Sequence, residues 1–337
     1  MVTFLYAESI DSNMPIVQAI GRYAYYLGLT IMVRPARIDN PSVSGERGAG
    51  HEITTYRAEG ALMTLPTLVI AATGKTGRRV AARLEAQGHP VRRASRSAET
   101  RFDWDDRSTW DAALTGVGSA YVVYSPDLAV PAAPDAITAF TELAKKKGVQ
   151  RLVLLSGRGE TEAERCERIV QDSGLEWTIV RASWFNQNFD EGAFRDLVLA
   201  GEVTLPAGDV LEPFIDIDDI AEVAATALME EGHAGQLYEV TGPQLMTFAD
   251  AVAEISDATG RQVRYVTIPI EAFKAGLGEA GLPPVQIDLL EYLFTTVLDG
   301  RNASTTDGVQ RALGRPARSF RDYARSVAES GAWNVEA

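Results

Sequence analysis

The chain has 337 residues, 46% of them hydrophobic and 23% charged, with a formal net charge of −14. Such a composition supports a folded core, and its acidity argues against nucleic-acid binding, because phosphate contacts demand Lys and Arg. The single cysteine, Cys166, excludes an internal disulfide, and three scattered histidines offer no zinc spacing, so no metal is expected.

In chain order, residues 1–62 come first and fit no regular pattern. "IDNPSVSGERGAGHE" reads as loop. The core is expected to begin near Met63, with residues 1–62 an N-terminal extension outside the core fold, either native or the product of an upstream start. The acidic Glu8 and Asp11 are unlike the basic head of a signal peptide, and no apolar run reaches the ~20 residues of a membrane span. A cytoplasmic protein without a membrane partner is expected.

From Pro66 strands and helices alternate. "TLVIAA" is an apolar run suited to a buried parallel strand, and "KTGRRVAARLEAQG" has helical spacing with a glycine stop. "HPVRRASR" is a strand, "DRSTWDAALTGV" a helix and "SAYVVYS" a strand. "APDAITAFTELAKKKG" is a helix ending in lysines that suit its negative end and read as solvated. "VQRLVLLSG", "ETEAERCERIVQDSG" and "LEWTIVR" continue as strand, helix, strand. This is the pattern of a Rossmann-like, doubly wound α/β sheet over residues 63–182.

Residues 183–337 read as a smaller α-rich C-terminal region that binds substrate and returns strands to the core sheet. "GEVTLP", "EPFIDI" and "GQLYEVTG" are strand candidates. "DIDDIAEVAATALME", "TFADAVAEISDATG" capped by Thr247, "PPVQIDLLEYLFTTVLDG" and "SFRDYARSVAES" are helices. "DIDD" suits a helix cap better than a metal site.

"AATGKTG" after the first strand ends like a Walker A loop. That motif, however, needs a glycine where Val69 stands inside the strand. Gly74 and Gly77 instead suit the first βα turn of a dinucleotide domain, where a pyrophosphate meets helix N–H groups. About 20 residues on, NAD enzymes place an acid for the ribose hydroxyl. Here Arg96 stands in that place, flanked by Ser95 and Ser97, and its planar fork suits a 2′-phosphate. The expected cofactor is NADP(H).

"TLVIAATGKTG", "SRS", "FDWDD", "GVQRLVLLSG", "SGLEWTIVRASWFNQNF" and "PFIDIDDIA", in this order, resemble the NmrA-like branch of atypical short-chain dehydrogenases/reductases. "FDW", the "SP" after the third strand, "SWFNQNF" and "GRPARSFRDYA" are most similar to the ergot-alkaloid-type (festuclavine and agroclavine dehydrogenase-like) reductases. The resemblance implies NADP(H) contacts at Thr73, Gly74, Lys75, Thr76 and Gly77 around the pyrophosphate. It implies Arg96 at the 2′-phosphate, Asp103 near the adenine, and Ser125 and Ser156 along the ribose and nicotinamide. Trp184, Phe185 and Asn188 fall in the family's substrate-facing loop. An aromatic pair after an apolar strand serves equally as core.

Two departures stand out. Ala71 replaces the family's first turn glycine. The Tyr-x-x-x-Lys pair of classical members is missing, since "ETEAERCERIVQDSG" holds neither residue. The catalytic residue is therefore unknown. Three alternatives stand open: a substrate that needs no strong acid, such as an iminium; another donor such as Ser156, Glu160 or Tyr124; or no chemistry at all. The expected function is transfer of hydride from NADPH to a small organic acceptor of iminium, enone or quinone type. The alternative is a non-catalytic NADP(H)-sensing regulator. A monomer or homodimer is expected.

Overall fold

The computed structural model describes residues 65–192 and 194–335. The expected extension and the start near Met63 lie outside the described residues.

The first half of the described chain builds six strands: β1 (Thr67–Ile70), β2 (Val91–Ser95), β3 (Thr100–Arg101), β4 (Ser119–Val122), β5 (Arg151–Gly157) and β6 (Glu176–Ala182). Four helices run between them: α1 (Lys75–Ala86), α2 (Trp110–Leu114), α3 (Ala133–Lys146) and α4 (Thr161–Gln171). The second half adds α5 (Arg195–Ala200), β7 (Glu202–Leu205), α6 (Ile217–Met229), β8 (Gln236–Val240), α7 (Phe248–Thr259) and β9 (Arg264–Thr267). It ends with α8 (Ile270–Glu279), α9 (Pro284–Tyr292), α10 (Gly308–Leu313) and α11 (Phe320–Ser330).

The main sheet has seven strands in the order β3-β2-β1-β4-β5-β6-β8, and every pairing is parallel. This is the doubly wound order, with its switch point between β1 and β4. All four residues of β1 are buried, as a strand covered on both faces requires. Its one polar side chain is satisfied, because the Thr67 and Ser119 hydroxyls lie 2.7 Å apart. Burying each Val, Leu or Ile of such a strand is worth ~1.5–3 kcal/mol.

Helices α2, α3 and α4 cover one face of the sheet. Helices α1 and α6 cover the other. A separate aromatic cluster built from the second half, with Phe189, Phe214, Phe248 and Phe320 at its centre, carries α5, α7, α8, α9 and α11, while α10 packs beside α6 on the main sheet. Strand β8 joins the main sheet beside β6, while β7 and β9 form a small parallel sheet of their own.

The acidic run before α6 divides into three tasks. Asp216 caps the helix by accepting the Asp218 N–H. Asp218 pairs with Arg83 at 2.6 Å. Asp219, wholly buried, pairs with Arg315 at 2.8 Å and with Arg318. Among the described residues no group of three or more His, Cys, Asp and Glu could hold a metal. Nor is any helix among them long and apolar enough to cross a membrane.

One expectation is corrected. "EPFIDI" is no strand: it makes only isolated bridges, Phe185 with Ile215 and Glu212 with Met246. Pro213 lacks the N–H that a ladder needs. The lysine-rich end of α3 is exposed at Lys145 and Lys146, as expected, and Lys147 pairs with Asp111 at 2.6 Å. Cys166 is buried inside α4, and burial pushes its thiol up to about 12, which keeps it protonated and inert.

Candidate active site

A cavity of about 710 Å³ opens along the carboxyl ends of β1, β2, β4, β5 and β6. That is where an open α/β sheet holds ligands, outside the strand ends at the switch point.

Its first wall is the turn from β1 into α1. The chain leaves Ile70 through Ala71, whose φ of 54° puts an alanine in the left-handed region. The Gly74 N–H then closes the turn on the Ala71 carbonyl at 2.8 Å. Gly74 is the N-cap of α1 and brings no side chain to cap it, and the first helical turn carries no acid. The helix therefore presents its N–H groups and its positive end uncompensated, which fits a pyrophosphate. Thr73, Gly74 and Lys75 line the cavity. Thr76 and Gly77, grouped with them by the sequence, are buried beneath the turn and do not line it.

Lys75 reaches across the cavity and donates to Asn188 Oδ1 at 3.0 Å. Burial holds its ammonium down to about 8, against the pull of Glu191 and Asp190. Glu191 also binds Arg79 at 2.6 Å and Arg78, so the loop after β6 is strapped onto α1 by charge.

Arg96 stands at the end of β2, exposed on the cavity rim. Ser95 shapes the turn that presents it: its hydroxyl accepts the N–H of Ala98 at 3.0 Å and of Ser97 at 3.3 Å. Asp103 lines the cavity next to it, and its two aromatic flanks explain the "FDW" pattern. Trp104 donates its indole N–H to the Val123 carbonyl at 2.9 Å, and Phe102 packs edge-on to Trp104 with ring centres 5.0 Å apart. The Asp103 carbonyl accepts the Trp110 indole N–H at 2.7 Å. The aromatics thus anchor the loop to β4 and α2 while Asp103 faces outward.

Ser125 and Ser156 line the middle of the cavity, after β4 and at the end of β5. Ser156 donates to Glu167 at 2.6 Å. Trp184, Phe185 and Asn188 line the far end. Trp184 is wall and core together, with its ring centre 5.2 Å from that of Phe294 and 5.5 Å from that of Phe248. Ten of the twelve candidates therefore share one cavity, Thr76 and Gly77 being the other two.

The cavity is also lined by residues that the sequence did not single out. Arg78 and Glu191 stand at the phosphate end; Asp127 stands in the loop after β4; Phe194, Leu290, Leu293 and Val297 close the far end. Asp127 had a faint signal in the "SP" pair just before it. Leu290, Leu293 and Val297 had none, because only the folding of a distant helix brings them here.

Comparisons with known proteins agree with this geometry. A family model described as NAD(P)H-binding matches residues 71–231, and one described as the NmrA-like family matches residues 162–308. The chain is 33% identical to an NAD(P)H azoreductase of Xenophilus azovorans, an alignment that covers 77% of this chain and 97% of that protein. It is 31% identical to a festuclavine dehydrogenase of Aspergillus fumigatus, over 79% of this chain and 98% of that one. Among solved structures it superposes on an NADPH-dependent quinone oxidoreductase of Escherichia coli complexed with NADPH. The TM-score is 0.63 at 23% identity, covering 77% of this chain and 99% of that one, which speaks for the shared fold.

Proposed function

The chain belongs to the NmrA-like family of NAD(P)H-binding oxidoreductases, and from that premise we propose that it is an NADPH-dependent reductase of small organic acceptors of iminium, enone or quinone type. One observation carries the reading: a single cavity joins an anion-ready glycine turn and Arg96 at one end to an aromatic and aliphatic chamber at the other. When bound, NADPH supplies the hydride.

The chain's own residues divide the remaining work. The N–H groups of the β1–α1 turn and Lys75 hold the pyrophosphate, with Thr73 and Gly74 beside it. Arg96 selects the 2′-phosphate through two parallel donors, and Asp103 borders the adenine. Ser125 and Ser156 border the ribose and nicotinamide. Trp184, Phe185 and Phe194 wall a flat organic substrate and keep water from it. The charged strap from Glu191 to Arg78 and Arg79 holds the substrate loop against the cofactor helix.

Titration with NADPH and NADH by fluorescence, followed by a panel of iminium, enone, quinone and azo acceptors, tests the reading. NADPH is expected to bind more tightly and to be oxidised by at least one class. Tight binding without oxidation across the whole panel would favour the sensor instead.

The Lys75 ammonium gives a pH signature. Only its protonated form pairs with phosphate, and its pKa in the free protein is held to about 8. NADPH affinity is therefore expected to be flat between about pH 7, where the 2′-phosphate is fully ionised, and pH 8, and to fall as pH rises further, approaching about tenfold per pH unit as the limit for one proton. Lys75→Met should bind more weakly at pH 7 and lose that dependence. Affinity that stays level up to pH 9.5 would remove Lys75 from the phosphate site.

A further inference from the structure

Six polar side chains meet the cavity between the ends of β4 and β5: Tyr124, Ser125, Asp127, Ser156, Arg158 and Glu160. Helix α4, which follows, holds no tyrosine and no lysine, so a proton source has to be sought among these side chains. Ser156 has already committed its proton to the carboxylate of Glu167. That carboxylate is gripped by Arg181, whose Nε donates at 2.9 Å, and Arg181 reaches Glu239 at 3.5 Å. Ser156 consequently turns lone pairs toward the cavity. Tyr124 packs on Trp104 with ring centres 4.9 Å apart, and burial pushes its pKa further up, which makes it a poor acid.

Glu160 differs from both. It occupies the N-cap of α4, where a carboxylate ordinarily accepts first-turn N–H groups and stays ionised, yet its side chain makes no such bond. The Thr161 N–H instead meets the Tyr292 hydroxyl at 3.2 Å. The Glu160 carboxyl folds back over Gly157, and both its oxygens fill the space that a Cβ at Gly157 would take. There it meets the Asp127 carboxyl, with Glu160 only 8% exposed. Two carboxyls in contact at a buried site do not both ionise, so the pair holds one proton. Burial first, and then the Asp127 charge, push Glu160 well above the usual carboxylate range, which leaves the proton on Glu160 in a bond to Asp127.

Resting on the reductase reading, we infer that Glu160 is the general acid of this site, with Asp127 the positioning residue that keeps it charged with a proton. The acceptor takes two electrons as hydride from NADPH and one proton from Glu160. The Glu160 O–H bond breaks as a new O–H or C–H bond forms on the reduced quinone or enone. Glu160 is left as a carboxylate and takes its next proton from solvent. An iminium needs only the hydride, so the acid serves acceptors of the quinone and enone class.

The test uses the full chain with Glu160→Gln, Asp127→Asn and Gly157→Ala. In the free unaltered protein at neutral pH, infrared spectroscopy should show a protonated carboxylic acid that Glu160→Gln removes. The NADPH dissociation constant should stay within about threefold, while kcat for a quinone or enone drops about 10²- to 10⁴-fold at little change in KM. The loss with an iminium acceptor should be at least about tenfold smaller.

The unaltered protein should lose kcat at high pH as Glu160 ionises. Glu160 titrates facing Asp127 from the loop after β4 and Glu167 from its own helix, with Tyr292 at the end of α9 bonded to the Thr161 N–H and Arg301, in the loop before α10, bonded to the Gly159 carbonyl. Asp127→Asn removes the neighbouring charge and should move that limb to lower pH. Gly157→Ala displaces the carboxyl and should lose kcat as Glu160→Gln does. A quinone kcat for Glu160→Gln within about tenfold of the parent, or a free protein without the carboxylic acid band, overturns the assignment alone. An unaltered protein that binds NADPH but oxidises it with none of the acceptors in the panel overturns it together with the reductase reading.

Discussion

Arg96→Ala is expected to raise the NADPH dissociation constant about tenfold to fortyfold, and to leave the NADH constant almost unchanged. The argument runs from charge and geometry. Arg96 closes the end of β2 on the cavity rim, where an NAD enzyme would place a carboxylate for the ribose hydroxyl. A guanidinium there meets a 2′-phosphate with two parallel donors, and hydrogen bonds to charged groups are worth ~1.5–3 kcal/mol. Because the side chain is exposed, the lower half of that range applies at physiological salt. NADH offers only a hydroxyl at that point and loses little. Lysine should restore part of the preference, since it keeps the charge without the fork. Fluorescence titration of the three proteins with both cofactors reads the effect. Equal affinities for NADPH and NADH in the parent would mean that the β2 end does not read the 2′ position.

Such a residue was legible in the sequence because its signal is local. A strand, a glycine turn, a helix and the end of the next strand lie within about thirty residues, and backbone rules fix their spacing. The main sheet was legible for the same reason, because parallel strands buried on both faces are continuous apolar runs. Other parts depend on contacts that no local pattern encodes. Lys75 meets Asn188 across 113 positions. Glu191 reaches Arg79 from a loop 112 positions on. The far-end residues Leu290 and Val297 read in sequence as an ordinary amphipathic helix, and it is the packing of Phe294, from the same segment, against Trp184 and Phe273 that turns the segment to the cavity. Asp127 was missed because a lone acid after "SP" reads as a turn, and its meaning comes from Glu160 thirty-three positions later. "EPFIDI" misled because its alternation is that of a strand, while Pro213 and a loop-only partner limit it to single bridges.

The turn that holds the pyrophosphate supplies two substitutions of opposite sign. Gly77→Ala would place a Cβ inside contact with the Ala71 carbonyl oxygen, 2.7 Å from its carbon and 3.0 Å from the Ile70 oxygen. All of these atoms are backbone at the end of a fully buried strand, so no flexible side chain can yield. Relief requires α1 to move away from β1, which opens the cavity wall as well as the core. The expected loss is ~3 kcal/mol or more, with NADPH binding lost even at temperatures where the chain stays folded. Six positions earlier the sign reverses. Ala71 sits at a φ of 54°, where its own Cβ crowds the backbone. Ala71→Gly removes a strain of ~1–2 kcal/mol and gives back part of it as unfolded-chain entropy. The net expectation is ~0.5–1 kcal/mol of stabilisation, a rise of about 1–4 °C in Tm. Thermal unfolding with and without NADPH separates the two effects. A Gly77→Ala protein as stable as the parent would show that α1 is not pressed against the Ala71 carbonyl. An Ala71→Gly protein that melts earlier would show that the turn does not hold its left-handed residue in solution.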